Sequence, residues 1–206
     1  MIKPKHNFFI EKFFEFYTFR MIRKNFHSVQ ILGEYNLTNL PILLLSNHIS
    51  WWDGFWSKYL NTKIFKHKFH FLMLEHQLKK YWYFQYTGGF SIKQNSKSVF
   101  ESLDYTIELL KDKTNLVLFF PQGQIESQYN DHIVFRSGLK RILSNIQNPV
   151  NLVFQVNLID YLNHKKPSLF IYFLENLMEK TTIDEIETKY NNFLKNSISI
   201  QKLIHV

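Results

Sequence analysis

His48 and Asp53 stand five residues apart in Ser46-Asn47-His48-Ile49-Ser50-Trp51-Trp52-Asp53-Gly54-Phe55, directly behind the apolar run Pro41-Ile42-Leu43-Leu44-Leu45. A carboxylate that accepts a hydrogen bond from one imidazole nitrogen fixes the tautomer and leaves the other nitrogen free to take a proton. His48 is therefore a candidate general base and Asp53 its orienting acid. Taken alone, the same spacing also describes an imidazole at a helix start beside a solvated carboxylate. A second polar segment, Pro121-Gln122-Gly123, follows another apolar run, Leu116-Val117-Leu118-Phe119-Phe120. Runs of this length suit buried strands, and the polar residues behind them emerge at the carboxyl ends, where open α/β sheets hold ligands.

The order Asn-His-x-x-x-x-Asp after a hydrophobic strand, then a glycine-bearing strand, then Phe-Pro-x-Gly resembles the glycerolphosphate acyltransferase family, whose best-known members acylate lysophosphatidic acid. The resemblance runs from Leu40 to Asn157 and places His48 and Asp53 on the family's catalytic His and Asp. It implies transfer of a fatty acyl group from a thioester donor, acyl-CoA or acyl carrier protein, to the hydroxyl of a lipid acceptor, a lysophospholipid or a related glycolipid or hydroxy-lipid. It implies no cofactor. Asn47, Pro121, Gln122, Gly123 and Arg136 fall at positions that it assigns to substrate contact.

The departures bear on the acceptor. Ile92-Lys93-Gln94 stands where the family carries Ile-Asp-Arg, so Gln94 takes the place of an Arg that helps hold phosphate. Lys93 and Lys97 still offer positive charge there, as point charges rather than a two-pronged fork. Gln122 replaces a Glu that contacts the acceptor's glycerol, and Ile125 or Glu126 replaces an Arg, with Glu126 an alternative source of the carboxylate. These changes leave a phosphorylated and an unphosphorylated acceptor both open.

Other chemistries lack their residues. Without cysteine there is no thiolate nucleophile and no Cys-containing metal site, and the chain has no Gly-x-Ser-x-Gly elbow. Its six glycines assemble no phosphate loop. His67, His70 and His76 match no ligand spacing, and no metal is predicted. Direct transfer with His48 as base remains. A catalytically inactive, membrane-associated lipid-binding protein is the alternative, and it leaves the His48–Asp53 spacing without a purpose.

Twenty-five Lys and Arg against seventeen Asp and Glu give a formal charge of +8, with 21 Phe. Such a surface suits anionic headgroups or an acidic carrier protein, and nucleic acid is not expected as a partner. Between His6 and Phe26, aromatic pairs recur near helical spacing among Lys12, Arg20, Arg23 and Lys24. This basic aromatic arm, residues 1–30, is expected to rest on a membrane surface. No apolar run is long enough for a span. The expected location is cytoplasmic, peripheral or monotopic on the inner membrane face.

The remainder, 31–206, predicts a single α/β domain with a mixed, largely parallel sheet of about six or seven strands flanked by helices. Expected strands are Val29 to Tyr35, Ile42 to Leu45, Phe69 to Leu74, Leu116 to Phe120, Val150 to Val156 and Ser168 to Leu174, with a glycine turn at Gly88-Gly89. Expected helices follow His48, run from Leu74 to about Phe84, cover Ser96 to Lys111, start near Gly138, and close the chain over Thr181 to Asn196.

Overall fold

The computed structural model describes residues 1–36, 38–93, 98–177 and 182–204. Helix α1 (Phe8–Asn25) precedes strand β1 (Val29–Leu32) and strand β2 (Ile42–Ser46). Helix α2 (Asp53–Leu60), strand β3 (Lys68–Leu74), helix α3 (Glu75–Lys80), strand β4 (Gly89–Ile92) and helix α4 (Ser98–Leu109) follow. Strand β5 (Asn115–Phe119), helix α5 (Ser137–Asn145), strands β6 (Asn151–Asp160) and β7 (Ser168–Leu177), and helix α6 (Ile183–Lys202) complete the chain. The seven strands form one sheet in the order β1-β7-β6-β2-β5-β3-β4, parallel throughout except for the antiparallel β6–β7 pair.

β2 is the centre. Its unbroken apolar run lets both faces be buried: Ile42, Leu43, Leu44 and Leu45 are all 0% exposed. Burial of each contributes about 1.5–3 kcal/mol. Alternation sends Leu43 and Leu45 to one face, with Leu103 of α4, Leu139 and Ile142 of α5 and Tyr190 of α6. Ile42 and Leu44 point to the other, with Met21 and Ile22 of α1 and Trp56 and Leu60 of α2.

The chain leaves β2 toward β3 on the β5 side, and leaves β5 for β6 on the opposite side of β2. Connections that part this way open a crevice at the carboxyl edge of the sheet. The segments after β2 and β5 both empty into it. Their register, Leu45 opposite Phe119 and Phe154, brings the three strand ends level.

Several elements differ from the sequence reading. β1 is shorter, ending at Leu32. The helix expected to reach Phe84 stops at Lys80 and becomes a 3-10 turn over Trp82–Thr87. That break lets Phe84 face inward against Phe14, Phe55 and Phe71 while Trp82 stays 60% exposed. Gly88 then turns the chain with φ of 102°, where an added Cβ would lie 1.9 Å from the Phe69 carbonyl oxygen. β6 runs on to Asp160, because Gln155 and Asn157 are buried polar residues of a strand rather than its end. α6 begins in a capping box of Thr182 with Glu185 and extends to Lys202.

Candidate active site

Six residues separate the end of β2 at Ser46 from the start of α2 at Asp53, and their course is set by one carboxylate. Asp53 Oδ2 accepts the backbone N–H of Ile49 at 2.7 Å and of Ser50 at 2.8 Å, and it lies 2.8 Å from His48 Nδ1. Asp53 stands in the first turn of α2, the end of a helix that favours a negative charge. It is 0% exposed, and burial pushes its carboxyl up despite the opposing hydrogen bonds from His48, Ser50 and Ile49. Because the carboxylate accepts, the hydrogen-bonding network assigns the proton of neutral His48 to Nδ1, leaving Nε2 with its lone pair. The imidazole lies flat on Phe120, ring centres 4.0 Å apart and planes 12° from parallel, with 21% of its side chain exposed. This is an oriented base opening onto solvent.

The loop after β5 holds the same backbone from the other side. His48 N–H donates to Gln122 Oε1 at 2.6 Å, and Glu126 N–H donates to the His48 carbonyl at 2.8 Å. Gln122 Nε2 donates to Glu126 Oε2 at 2.9 Å, which closes a ring of bonds around His48. Hydrogen bonds from Gln122, then Gln124 and Asn130, together with the Arg136 charge, hold the Glu126 carboxyl below the usual range. Arg136 clamps the loop, Nε to the Gln122 carbonyl at 3.1 Å and Nη2 to Gln124 Oε1 at 3.2 Å. Gly123 has φ of 68°, a left-handed turn that suits glycine, and a Cβ there would crowd Arg136 Cγ at 3.3 Å.

The family model described as Acyltransferase matches residues 28–153, more than half of the chain. The chain belongs to the acyltransferase family. Among curated proteins no sequence matches it. The matched residues carry β1 through β6 as far as Val153, and with them every residue of the His48 ring. Helix α1, β7 and α6 of this acyltransferase lie outside the match.

The structure brings His48, Asp53, Pro121, Gln122, Gly123 and Arg136 to one edge of the sheet. Asn47 reaches the same edge but turns inward. Its Nδ2 donates to the Asn157 carbonyl at 2.9 Å and its Oδ1 accepts the Asn157 N–H at 2.8 Å, so its amide joins β2 to β6. Lys93 is exposed just beyond β4. With β5 and β3 between, that strand lies roughly 14 Å from β2 at ~4.8 Å per strand. Gln94 and Lys97 lie outside the described residues. The amides of Ile49 and Ser50 are committed to Asp53 and that of Gly123 to the Phe120 carbonyl at 3.1 Å.

The three clustered histidines take separate partners. His67 bonds the carbonyls of Phe65 and Leu40, His70 bonds Asn115 Oδ1, and His76 is exposed. Among the described residues of this acyltransferase, no group of three His, Cys, Asp or Glu is placed to hold a metal ion.

The polar network that joins Asn47 to β6 and α6 is absent from the sequence reading. Gln155 Nε2 donates to Asn157 Oδ1 at 2.7 Å, and the buried Tyr190 hydroxyl donates to the Gln155 carbonyl at 2.8 Å. Two amide side chains set among apolar residues in the middle of the strand are the signal for it, since buried polar groups require partners.

Proposed function

We propose that this acyltransferase moves a fatty acyl group from acyl-CoA or acyl carrier protein to the hydroxyl of a lipid acceptor, with His48 as general base and Asp53 as its orienting partner. The observation that carries the reading is the 2.8 Å contact between His48 Nδ1 and a fully buried Asp53 Oδ2. His48 Nε2 takes the proton from the acceptor hydroxyl as its oxygen attacks the thioester carbonyl. The C–O bond forms, the C–S bond breaks, and the proton passes from the imidazolium to the leaving thiolate. Asp53 holds the ring in register and offsets the imidazolium charge.

The same reading places the protein on a membrane, on the cytoplasmic, inner face. Phe8, Phe9, Phe13 and Phe16 are 60–80% exposed along one side of α1. They occupy one helical stripe, with Arg20, Arg23 and Lys24 following at its carboxyl end. Trp51 and Trp52, in the turn between His48 and Asp53, are partly exposed and packed on Phe55, which meets Tyr17 of α1. Rings beside cations suit the boundary between acyl chains and anionic headgroups. A cleft of about 470 Å³ between α1, β1 and α2, with Phe19 and Tyr59 as apolar walls and Arg20 and Arg23 at the rim, has the same amphiphilic character. Among the described residues no helix is long and apolar enough to cross a membrane.

The test is acyl transfer by the purified full chain with palmitoyl-CoA and palmitoyl carrier protein as donors, beside His48→Ala. Thioester consumption matched by ester formation, falling about 10²–10⁴-fold in the variant, is expected. Equal rates in variant and parent, or no thioester consumed with any acceptor, would sink the reading.

A further inference from the structure

Hydroxyl groups both donate and accept hydrogen bonds, whereas a phosphate monoester at neutral pH offers acceptors and negative charge. The two classes of acceptor headgroup therefore ask for different surroundings beside His48. The group that decides between them is Glu126.

Its position is fixed by bonds to the catalytic backbone rather than by the flexibility of its own side chain. Glu126 N–H is bound to the His48 carbonyl, and its carboxylate is tied through Gln122 to the His48 N–H. Three amide donors fill the carboxylate in part: Gln124 on Oε1 at 3.1 Å, Gln122 on Oε2 at 2.9 Å, and Asn130 on Oε2 at 3.4 Å. A carboxylate has lone-pair sites for about four donors, so one acceptor hydroxyl remains to be taken. Arg136, held to this loop by Nε and Nη2, keeps further N–H groups for the oxygen of a neighbouring hydroxyl.

The electrostatics point the same way. Glu126 and Asp53 are the two carboxylates of the ring around His48, and Arg136 is its one cation among the described residues, already turned onto Gln122 and Gln124. Lys93 is three strands away. A dianionic phosphate entering beside Glu126 meets like charge without a preformed opposing fork. An ammonium group gains little, because the carboxylate is already matched by three amides and by Arg136. An uncharged headgroup with adjacent hydroxyls can donate to Glu126 and accept from Arg136 together.

We propose that Glu126 and Arg136 form the acceptor subsite of this site, and that the acceptor is a lipid with an uncharged polyhydroxyl headgroup, such as a glycosyl lipid, rather than a phosphate monoester. This rests on the acyl-transfer reading above. One hydroxyl of the headgroup bonds Glu126 while its neighbour presents its proton to His48 Nε2 and attacks the thioester. The products are a headgroup ester and the free thiol.

The experiment uses the full chain with palmitoyl-CoA and palmitoyl carrier protein, and dodecyl-β-glucoside or lysophosphatidic acid as acceptor in neutral detergent micelles. Expected is a kcat/KM for the glucoside at least tenfold above that for lysophosphatidic acid. In Glu126→Gln the glucoside KM rises tenfold or more, and kcat/KM falls at least tenfold further on the glucoside than on lysophosphatidic acid. Glutamine keeps an acceptor for Gln122, so the ring about His48 persists, and an unchanged melting temperature verifies it. Preference for lysophosphatidic acid overturns the acceptor assignment and leaves acyl transfer standing. An equal loss on both acceptors in Glu126→Gln overturns it too, since that is the mark of a residue that only shapes the loop. Failure to consume thioester with either acceptor overturns the underlying acyl-transfer reading, and this inference with it.

Discussion

Asp53 grips His48 in two ways at once: its Oδ2 meets the imidazole Nδ1 at 2.8 Å, and it also takes the backbone amides of the two residues that follow, Ile49 and Ser50. The side chain that orients the ring is thus also the side chain that shapes the loop presenting it.

Asp53→Asn separates chemistry from stability. The amide still accepts from Ile49 and Ser50 but no longer offsets an imidazolium, so kcat is expected to fall by about 10²–10⁴-fold. Stability should move the other way with pH. The raised carboxyl of the parent favours the folded state most at low pH, and that advantage is lost as pH climbs from 3.8 through the folded value. The variant does not titrate, so its melting temperature relative to the parent should rise across that window and then level. A fixed offset at every pH would contradict the raised pKa.

His70 governs the acid limb of stability. It is 2% exposed, donates Nε2–H to Asn115 Oδ1 at 3.1 Å, and burial, aided by His6, pushes its pKa down to about 4. The unfolded chain therefore binds the proton first as pH falls. Stability should drop from about pH 6.5 toward pH 4, by up to about 1.4 kcal/mol per unit from this group. Denaturant midpoints of His70→Gln measured across that range should show a shallower slope; an unaltered slope would assign the acid limb elsewhere.

Asn47 is predicted to act on stability before substrate. Replacing it with Leu strips both the Asn157 N–H and carbonyl of their side-chain partner. Unsatisfied buried groups cost on the order of 1–3 kcal/mol each. A loss near 2 kcal/mol lowers the melting temperature by about 4–8 °C in a chain of this size. Acceptor KM below the transition should stay within twofold, and a large KM rise without a drop in melting temperature would return Asn47 to the substrate.

Serine at Phe8, Phe9, Phe13 and Phe16 together should release the protein from vesicles. These rings are exposed, so the melting temperature should be little altered. Sedimentation with vesicles of anionic phospholipid is expected to fall at least tenfold. Binding that survives the four changes would show that the arm is not the contact.

The parts of the fold and site that were legible in the sequence are those whose partners are close in the chain or whose environment is uniform. His48 and Asp53 are five apart, and β2 and β5 announce themselves because a strand buried on both faces has no polar interruption. The resemblance assigns Asn47 to substrate contact, and nothing near it in the chain points to Asn157, its partner 110 residues away. Gln122 was legible as a departure, yet its bond to the His48 amide spans 74 residues and depends on how a loop folds back. β6 continues past the expected end at Val156 because Asn157 finds its partners in Asn47 and Ser46, 110 and 111 residues away.

The pairing of β1 has a consequence for the order of events on the ribosome. Residues 2–7 bond the 85–91 segment, so the amino end of α1 can be tethered once about ninety residues exist. Among the described residues β1, at the other end of the helix, pairs with β7 alone, with Val29 opposite Leu169. At ~5–20 residues per second of synthesis, roughly 4–16 s separate the two attachments. Through that interval α1 is held by its front end and by its packing on α2, and its row of phenylalanines can meet another surface before the sheet edge behind it is closed.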